Sequence, residues 1–303
     1  MQRPAKPFTP VRFRIQPPIN MKVAIIGYGF VGKAIDNGFN DDVEIFKVDP
    51  KLNTSLGDLE KFLPEVIFVC LPTPMNKDGS QDLSIVTETI KILKSMKLSS
   101  LIVIKSTIHP GNLNQLIKTT PKFVYNPEFL REKHANDDFI KSKLIIFGGS
   151  NEMTSQLADL YSKHTKCTTK DYIFTDFITA SLMKYTINTF LATKVIFFNE
   201  IFQLFNATNT EEKWENFVHF LSKDQRLGNS HMMVPGHDGR LGFGGACFPK
   251  DSSAILEYAN SLGVPLETIR NTIKINNSIR AKYNSPTDRE EDQNIQYNDF
   301  DKE

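Results

Sequence analysis

Cysteine is scarce: Cys70, Cys167 and Cys247 are the only three in 303 residues. An odd, widely spaced set makes no disulfide framework and suits a reducing compartment, with the cytoplasm as the expectation. Excess charge of one sign is missing too. Against 36 Lys and Arg stand 35 Asp and Glu, a formal net charge of +1, so neither nucleic acid nor an anionic membrane is expected as the main partner. No apolar run approaches the ~20 residues of a membrane span. The six histidines lack the His/His or Cys/His spacing typical of zinc, so no metal site is expected. His231 and His237, around Pro235 and Gly236, read as solvent-exposed. Internal repeats are absent. What remains is 40% hydrophobic and 23% charged, enough for one large buried core or two ordinary ones.

Both ends depart from that average. The first twenty residues hold five prolines, four basic residues and no acid. They lack the apolar centre of a secretory signal, and the prolines argue against the amphipathic helix of a transit peptide. Residues 1–20 therefore read as a disordered extension ahead of a domain beginning at Met21, which itself could start the natural chain. The last nineteen carry seven acidic and two basic residues, and 286–303 reads as a solvated, disordered tail.

Between the ends, short β-rich runs alternate with helical stretches. Strands are expected at 22–27, 43–48, 65–71, 101–105, 122–125 and 143–147, several of them continuously apolar, as in a parallel sheet covered on both faces. Helical patterns occupy 82–96 and 151–165. The spacing predicts an α/β domain over 21–172, a Rossmann-like doubly wound parallel sheet. The strands then stop. Residues 176–206 contain no proline or glycine and are apolar on almost every face, a helix to be buried against its own chain or a second copy. With further helical patterns at 211–222, 250–262 and 265–284, residues 173–285 form a smaller, mostly helical domain.

The stretch GYGFVG follows the first strand and opens a helix, with Gly27 for the turn, Gly29 for close approach of a pyrophosphate and Gly32 for helix–strand packing. Such glycines often only shape a turn. Here a second strand ends at Asp49, twenty residues beyond Gly29, where a carboxylate can accept both ribose hydroxyls and repel a 2′-phosphate. NAD is the expected cofactor. Thr73 and Thr107, at two further strand ends, are placed to face it, although ordinary turn chemistry explains them equally well.

Lys184 and Asn188 lie one turn apart on the apolar helix. A buried lysine must be paired, neutralised or working; alternatively its stem packs while its amine reaches solvent. Cys247 and Asp251 are also four apart. A thiol near a helix N-terminus, with Lys184 or Lys250 close by, is expected to have a lowered pKa, unless it is simply a small buried residue beside turn glycines. Glu128 and Glu132 follow a strand on a loop at the cofactor edge, where exposed carboxylates are usually just solvated.

Taken in order, GYGFVG, LPTP, KSTIHPG, NPEFLRE, KYTINTFLATKVIFFNE, KDQRLGN and GFGGACFPKD resemble the UDP-glucose/GDP-mannose dehydrogenase family from Met21 to about Arg280. The last segment is more similar to the UDP-glucose branch than to the mannose branches. The resemblance implies oxidation of a nucleotide sugar's primary alcohol to a carboxylate, UDP-glucose to UDP-glucuronate, in two hydride transfers to NAD. It implies that Cys247 captures the intermediate aldehyde as a thiohemiacetal, which is oxidised to a thioester and hydrolysed. Lys184 and Asn188 match the pair that stabilises oxyanionic character, Glu128 the base for hydrolysis, and Thr107 and Asp251 the residues that position water. Cofactor contacts carried over are Gly27, Tyr28, Gly29, Phe30, Val31, Gly32, Asp49, Thr73, Thr107, Glu132 and Lys250. Substrate contacts are Phe129, Leu130, Arg131, Glu132, Lys184, Asn188, Phe243, Gly244 and Arg226. Arg226 matches an arginine that crosses a homodimer interface, with the long helix as the dimer seam.

Three departures accompany the resemblance. Lys133 stands where the family usually has glycine, and the connection after Asp49 is short. Family members also continue into a third, nucleotide-binding domain, which this sequence stops short of. Loss of two charge-assisted contacts at about 1.5–3 kcal/mol each would weaken substrate binding by about 10²–10⁴-fold. Two competing readings are a 3-hydroxyacid dehydrogenase, which needs a lysine but no cysteine thioester, and a non-catalytic subunit that binds NAD or a nucleotide sugar and depends on a partner.

Overall fold

A computed structural model describes residues 21–120 and 122–297; the expected disordered extension over 1–20 lies outside them, as do residues 298–303. The first half runs β1 (Met21–Ile26), α1 (Phe30–Gly38), β2 (Val43–Val48), α2 (Leu59–Phe62), β3 (Val66–Val69), α3 (Ser84–Ser95) and β4 (Leu101–Ile104). It continues with α4 (Pro110–Thr119), β5 (Phe123–Tyr125), α5 (Ala135–Lys141), β6 (Ile146–Gly148), α6 (Asn151–His164) and β7 (Ile173–Thr175). The strands make one sheet in the order β2-β1-β3-β4-β5-β6-β7, parallel throughout except where β6 meets β5 at Gly148 and Tyr125. Because β1 is flanked by β2 on one side and β3 on the other, the direction of winding reverses there. That switch point opens a crevice beyond the carboxyl ends of β1 and β3.

Both sheet faces are covered, which explains the unbroken apolar runs. Val23, Ile25, Phe68 and Val103 pack one way against α1, α5 and α6, while Ala24, Ile26, Ile67 and Ile104 pack the other way against α3 and α4. The α4 helix was not expected. His109 caps it by accepting from the amides of Gly111 and Asn112, and Pro110 occupies the first turn. β7 also escaped, two of its three residues being exposed, and it carries the sheet to residue 175, just past the expected boundary at 172.

The second half is α7 (Phe177–Ala207), α8 (Trp214–Leu221), α9 (Phe248–Ser261), α10 (Glu267–Arg280) and α11 (Asp288–Glu291). Asp176 starts α7, accepting from the amides of Ile178 and Thr179 at 2.8 and 2.9 Å. One face of α7 is buried along Ala180, Lys184, Asn188 and Ala192, whereas Leu182, Phe190, Phe197 and Leu204 are exposed. Among the described residues no helix is long and apolar enough to cross a membrane.

The acidic end differs from expectation over 286–297. There α11 is capped by Thr287, Glu290 is fully buried and Ile295 is buried. The reason is a matched charge in the body of the protein: the Arg280 guanidinium lies 2.5 Å from Glu290 and 2.7 Å from Asp238. The Gln293 carbonyl also accepts from the Met75 amide at 3.0 Å. Net charge hides such a partner, because burial of a carboxylate depends on what faces it.

Candidate active site

The dinucleotide turn occupies the switch-point crevice. Gly27 has φ +88°, and a Cβ there would stand 2.6 Å from the Cys70 carbonyl oxygen. A Cβ on Gly32 would stand 2.3 Å from the Gly27 carbonyl oxygen, whereas one on Gly29 would meet nothing within 4 Å. The two outer glycines are thus demanded by packing, and the middle one faces open space. Gly29 starts α1 without any side-chain cap, so the helix N-terminus and its amides are available to an anion. These features fit a pyrophosphate. Asp49 stands beside them, accepting from the amides of Tyr28 at 2.7 Å and Lys51 at 2.9 Å. The Tyr28 hydroxyl is turned away to Asp36, with Lys47 over its ring. Val31 packs on the sheet core. Thr73, buried, donates to the Thr107 carbonyl at 3.0 Å, tying the ends of β3 and β4 together.

Across the crevice, α7 and α9 bring four polar side chains into an apolar setting. Lys184 Nζ donates to the Glu128 carbonyl oxygen at 2.6 Å and meets its carboxylate Oε1 at 3.3 Å. Asn188 Nδ2 donates to Asp251 Oδ2 at 2.6 Å, and Lys250 Nζ lies 2.5 Å from Asp251 Oδ1. All five residues are buried. Cys247 joins them as the residue that starts α9, with the Asp251 amide donating to its carbonyl. The helix spacing of Lys184 with Asn188, and of Cys247 with Asp251, therefore converges in space.

The thiol itself contradicts the expectation of a lowered pKa. Withdrawal from water pushes Cys247 up to about 11, and the carboxylates of Glu128 and Asp251 add to the rise more than Lys250 and Lys184 offset it. Proximity to a helix N-terminus, two lysines and Asp251 was visible in the sequence, but the charge of Asp251 and of Glu128, which comes from a distant loop, was not set against the thiolate. For Lys184, burial disfavours the ammonium, yet the charges of Glu128, Cys247 and Asp251 together outweigh it and hold the pKa above its usual value. Lys184 is a permanent cation at neutral pH, suited to stabilising negative charge rather than accepting a proton.

The segment after β5 folds over this cluster. Leu130 donates its amide to Glu128 Oε2 at 2.6 Å, and the Phe129 ring lies 5.1 Å from Lys184 Nζ. Arg131 forks onto Asp138 in a bidentate pair, so its guanidinium is already engaged. Glu132 pairs at 3.0 Å with Arg289, whose guanidinium lies over the ring of Phe30; the tail thereby reaches the dinucleotide turn. The Phe243 ring is packed with Ala192, Ile196 and Phe248, and its amide donates to Asn276. Gly244 leaves no room for a side chain, because a Cβ would fall 2.2 Å from Arg280 and 2.3 Å from Glu290. Arg226 is remote from these contacts, exposed and forked onto Asp224. His231 is half-buried rather than exposed, its ring tilted against Phe248 at 5.4 Å between centroids, with burial lowering its pKa. Its neighbour in sequence gives no hint of that ring. Among the described residues no three His, Cys, Asp or Glu side chains are grouped to hold a metal.

Family models match on both sides of this crevice. Residues 51–165 match the NAD binding domain of the UDP-glucose/GDP-mannose dehydrogenase family, and residues 178–278 match its central domain. The chain belongs to the UDP-glucose/GDP-mannose dehydrogenase family. Membership makes it an NAD-dependent nucleotide-sugar dehydrogenase. A UDP-glucose 6-dehydrogenase of Rickettsia typhi is 30% identical over 297 residues, covering 84% of this chain and 67% of its own length. The UDP-glucose dehydrogenase structure from Pyrobaculum islandicum superposes with TM-score 0.71 at 25% identity, over 89% of this chain and 70% of that one. A 3-hydroxyisobutyrate dehydrogenase of Mycobacterium tuberculosis shares the fold, with TM-score 0.63 at 15% identity over 91% of this chain and 96% of that one. The first family match begins after the glycine turn, so for this family member the case for that turn rests on its geometry. Sequence reasoning passed over Lys105, buried at the end of β4, and Asn126, which binds it. The signal was present: a lysine directly continues the apolar run LIVI.

Proposed function

We propose that the chain converts UDP-glucose to UDP-glucuronate through a covalent intermediate on Cys247. The observation that carries this reading is the buried convergence of Lys184, Asn188, Asp251 and Glu128 around that thiol. Bound at the glycine turn with its ribose at Asp49, NAD would supply the hydride acceptor for both oxidations. Lys184, permanently charged, and Asn188 hold the sugar's reacting oxygen as negative character develops on it. Loss of a hydride and a proton from the primary alcohol gives an aldehyde. The Cys247 sulfur adds to that carbonyl, its proton passing to the oxygen, to form a thiohemiacetal. Loss of a second hydride and proton gives the thioester. Water, deprotonated by Glu128 and placed by Thr107 and Asp251, then attacks the carbonyl carbon; the C–S bond breaks, the acid leaves and the thiol is restored.

The exposed stripe Leu182, Phe190, Phe197 and Leu204 recurs at seven- to eight-residue spacing along α7, one side of a helix. It supports a homodimer through that helix, with Arg226 reaching the neighbouring site once released from Asp224. The test is a limiting-substrate assay with UDP-glucose, excess NAD and NADH counted at completion. Two NADH per sugar is the expected result. One would identify a simple alcohol oxidation of the 3-hydroxyacid type, and none, with NAD still bound, would indicate a binding subunit or a different nucleotide sugar.

A further inference from the structure

Beneath the Glu128 turn lies a further buried ammonium, Lys105, that the reaction scheme leaves unused. Three adjacent strands end side by side: Cys70 follows β3, Lys105 follows β4 and Asn126 follows β5, with the Lys105 amide on the Val69 carbonyl and the Asn126 amide on the Ile104 carbonyl. Lys105 is buried, and its Nζ donates to Asn126 Oδ1 at 2.9 Å. The same oxygen accepts from the Tyr161 hydroxyl at 2.7 Å, and Asn126 Nδ2 donates to the Ile146 carbonyl at 2.8 Å. Asn126 is therefore held on every side and fixes the start of the Asn126–Leu130 turn. An ammonium has three donors, and Asn126 takes one of them. Lys105, Asn126 and Glu128 share the wall of a cavity of about 20 Å³, room for about one water molecule to meet another donor.

We propose that Lys105 is a positioning residue for Glu128, its ammonium holding the Asn126–Leu130 turn from beneath while Lys184 holds the carboxylate from the active-site side. Apolar packing alone could support the turn with a methionine at far lower desolvation cost, since a buried cation with one acceptor opposes folding. Its use is to place Glu128 between two cations. The titratable groups facing Lys105 are Cys70, Cys167, Glu128 and Lys184, with Tyr161 sharing its acceptor. Burial, the largest influence, brings Lys105 down to about 8, whereas Cys70 is pushed up to about 12 and Cys167, Tyr161 and Lys184 are all raised. Near pH 8 Lys105 is thus the cation of the group that titrates, and its hold on Glu128 weakens above that pH.

The role in hydrolysis rests on the thioester reading above; the role in fixing the turn does not, and Lys105→Met separates the two. Hydrogen exchange on the free protein at pH 7 should show the Leu130 amide, bound to Glu128 Oε2, at least ten-fold less protected, with α7 unchanged. During turnover with UDP-glucose and NAD, intact-mass measurement should find the variant accumulating a sugar adduct on Cys247, with kcat down at least ten-fold and the KM for NAD unchanged. Its thermal midpoint at pH 7 should be no lower than that of the wild type, which a merely structural lysine would not allow. If the variant does not fold, wild-type protein decides: Leu130 protection, corrected for intrinsic exchange, should fall as pH rises through about 8. Unchanged Leu130 protection in the variant, or in the wild type across that pH range, overturns the proposal. Failure of the wild type to oxidise UDP-glucose overturns the thioester reading alone, because hydrogen exchange needs no substrate.

Discussion

Alkylation of Cys247 tests the electrostatics of the site without any substrate. With a pKa of about 11, the thiolate fraction at pH 7.5 is about 3 × 10⁻⁴, against about 0.1 for an ordinary thiol near 8.5. That is about a 300-fold deficit. A more basic thiolate is a better nucleophile, and a Brønsted slope of about 0.4–0.5 returns roughly ten-fold. The net expectation is alkylation about 20–30-fold slower than a free thiol, rising about ten-fold per pH unit from 7 to 10. Cys70 is pushed up to about 12, so it should react no faster than Cys247, and Cys167 is buried where Cys247 is only half-buried, which keeps the reagent from it. Asp251 lies one helical turn from Cys247, about 6 Å between Cβ atoms, where a unit charge at an effective dielectric of about 20 contributes roughly 2.8 kcal/mol. Asp251→Asn removes that contribution while burial and Glu128 remain, so it should lower the midpoint from about 11 and speed alkylation at pH 7.5 several-fold. Iodoacetamide labelling, quantified by peptide mass spectrometry across pH, reads both effects. A wild-type rate that reaches its plateau below pH 9, or an Asp251→Asn variant no faster than wild type, would refute this account of the thiol. The consequence for the reaction is direct: the resting nucleophile is a thiol, and it must lose its proton as it attacks.

Two further predictions concern the frame. Glu290→Leu leaves the buried Arg280 guanidinium with Asp238 as its remaining carboxylate and should cost about 1–3 kcal/mol in urea unfolding at pH 7. Burial opposes the Glu290 carboxylate, but its bonds to Tyr297, the Thr287 amide, Arg280 and the Gly245 amide outweigh that and hold its pKa below the usual value. A depressed carboxylate contributes fully above the unfolded glutamate range, about 4.3, and its contribution is lost as pH falls through the folded value. The gap between variant and wild type should accordingly shrink below pH 4; an equal gap at pH 7 and pH 3.5 would count against it. Phe190 is 65% exposed on α7, and Phe190→Asp places a charge on the proposed seam. Sedimentation should show the wild type at twice the 34.4 kDa chain mass and the variant at once; a wild-type monomer would remove the dimer.

Periodicity revealed the long elements because their burial repeats with the backbone. The runs at 22–27 and 65–71 are apolar where both faces of a parallel sheet are covered, and 176–206 is free of glycine and proline because it is one helix. Elements without a marked apolar pattern were not revealed: β7 is exposed at two of its three residues, and α4 hides in the polar stretch GNLNQ. The glycine turn, Asp49 and the pairs Lys184 with Asn188 and Cys247 with Asp251 were legible because each lies within one local unit of the backbone. Contacts between distant segments were not. That Lys184 meets Glu128, that Asn188 meets Asp251, and that Glu290 leaves an acidic tail to join Arg280 depend on which strand ends and helices fold together. The direction of the Cys247 pKa turned on the same point. A sequence displays a helix start, neighbouring lysines and an aspartate one turn away, but charge energies depend on distance and exclusion of water, and only the tertiary structure brought Glu128 to that sulfur and withdrew it from water.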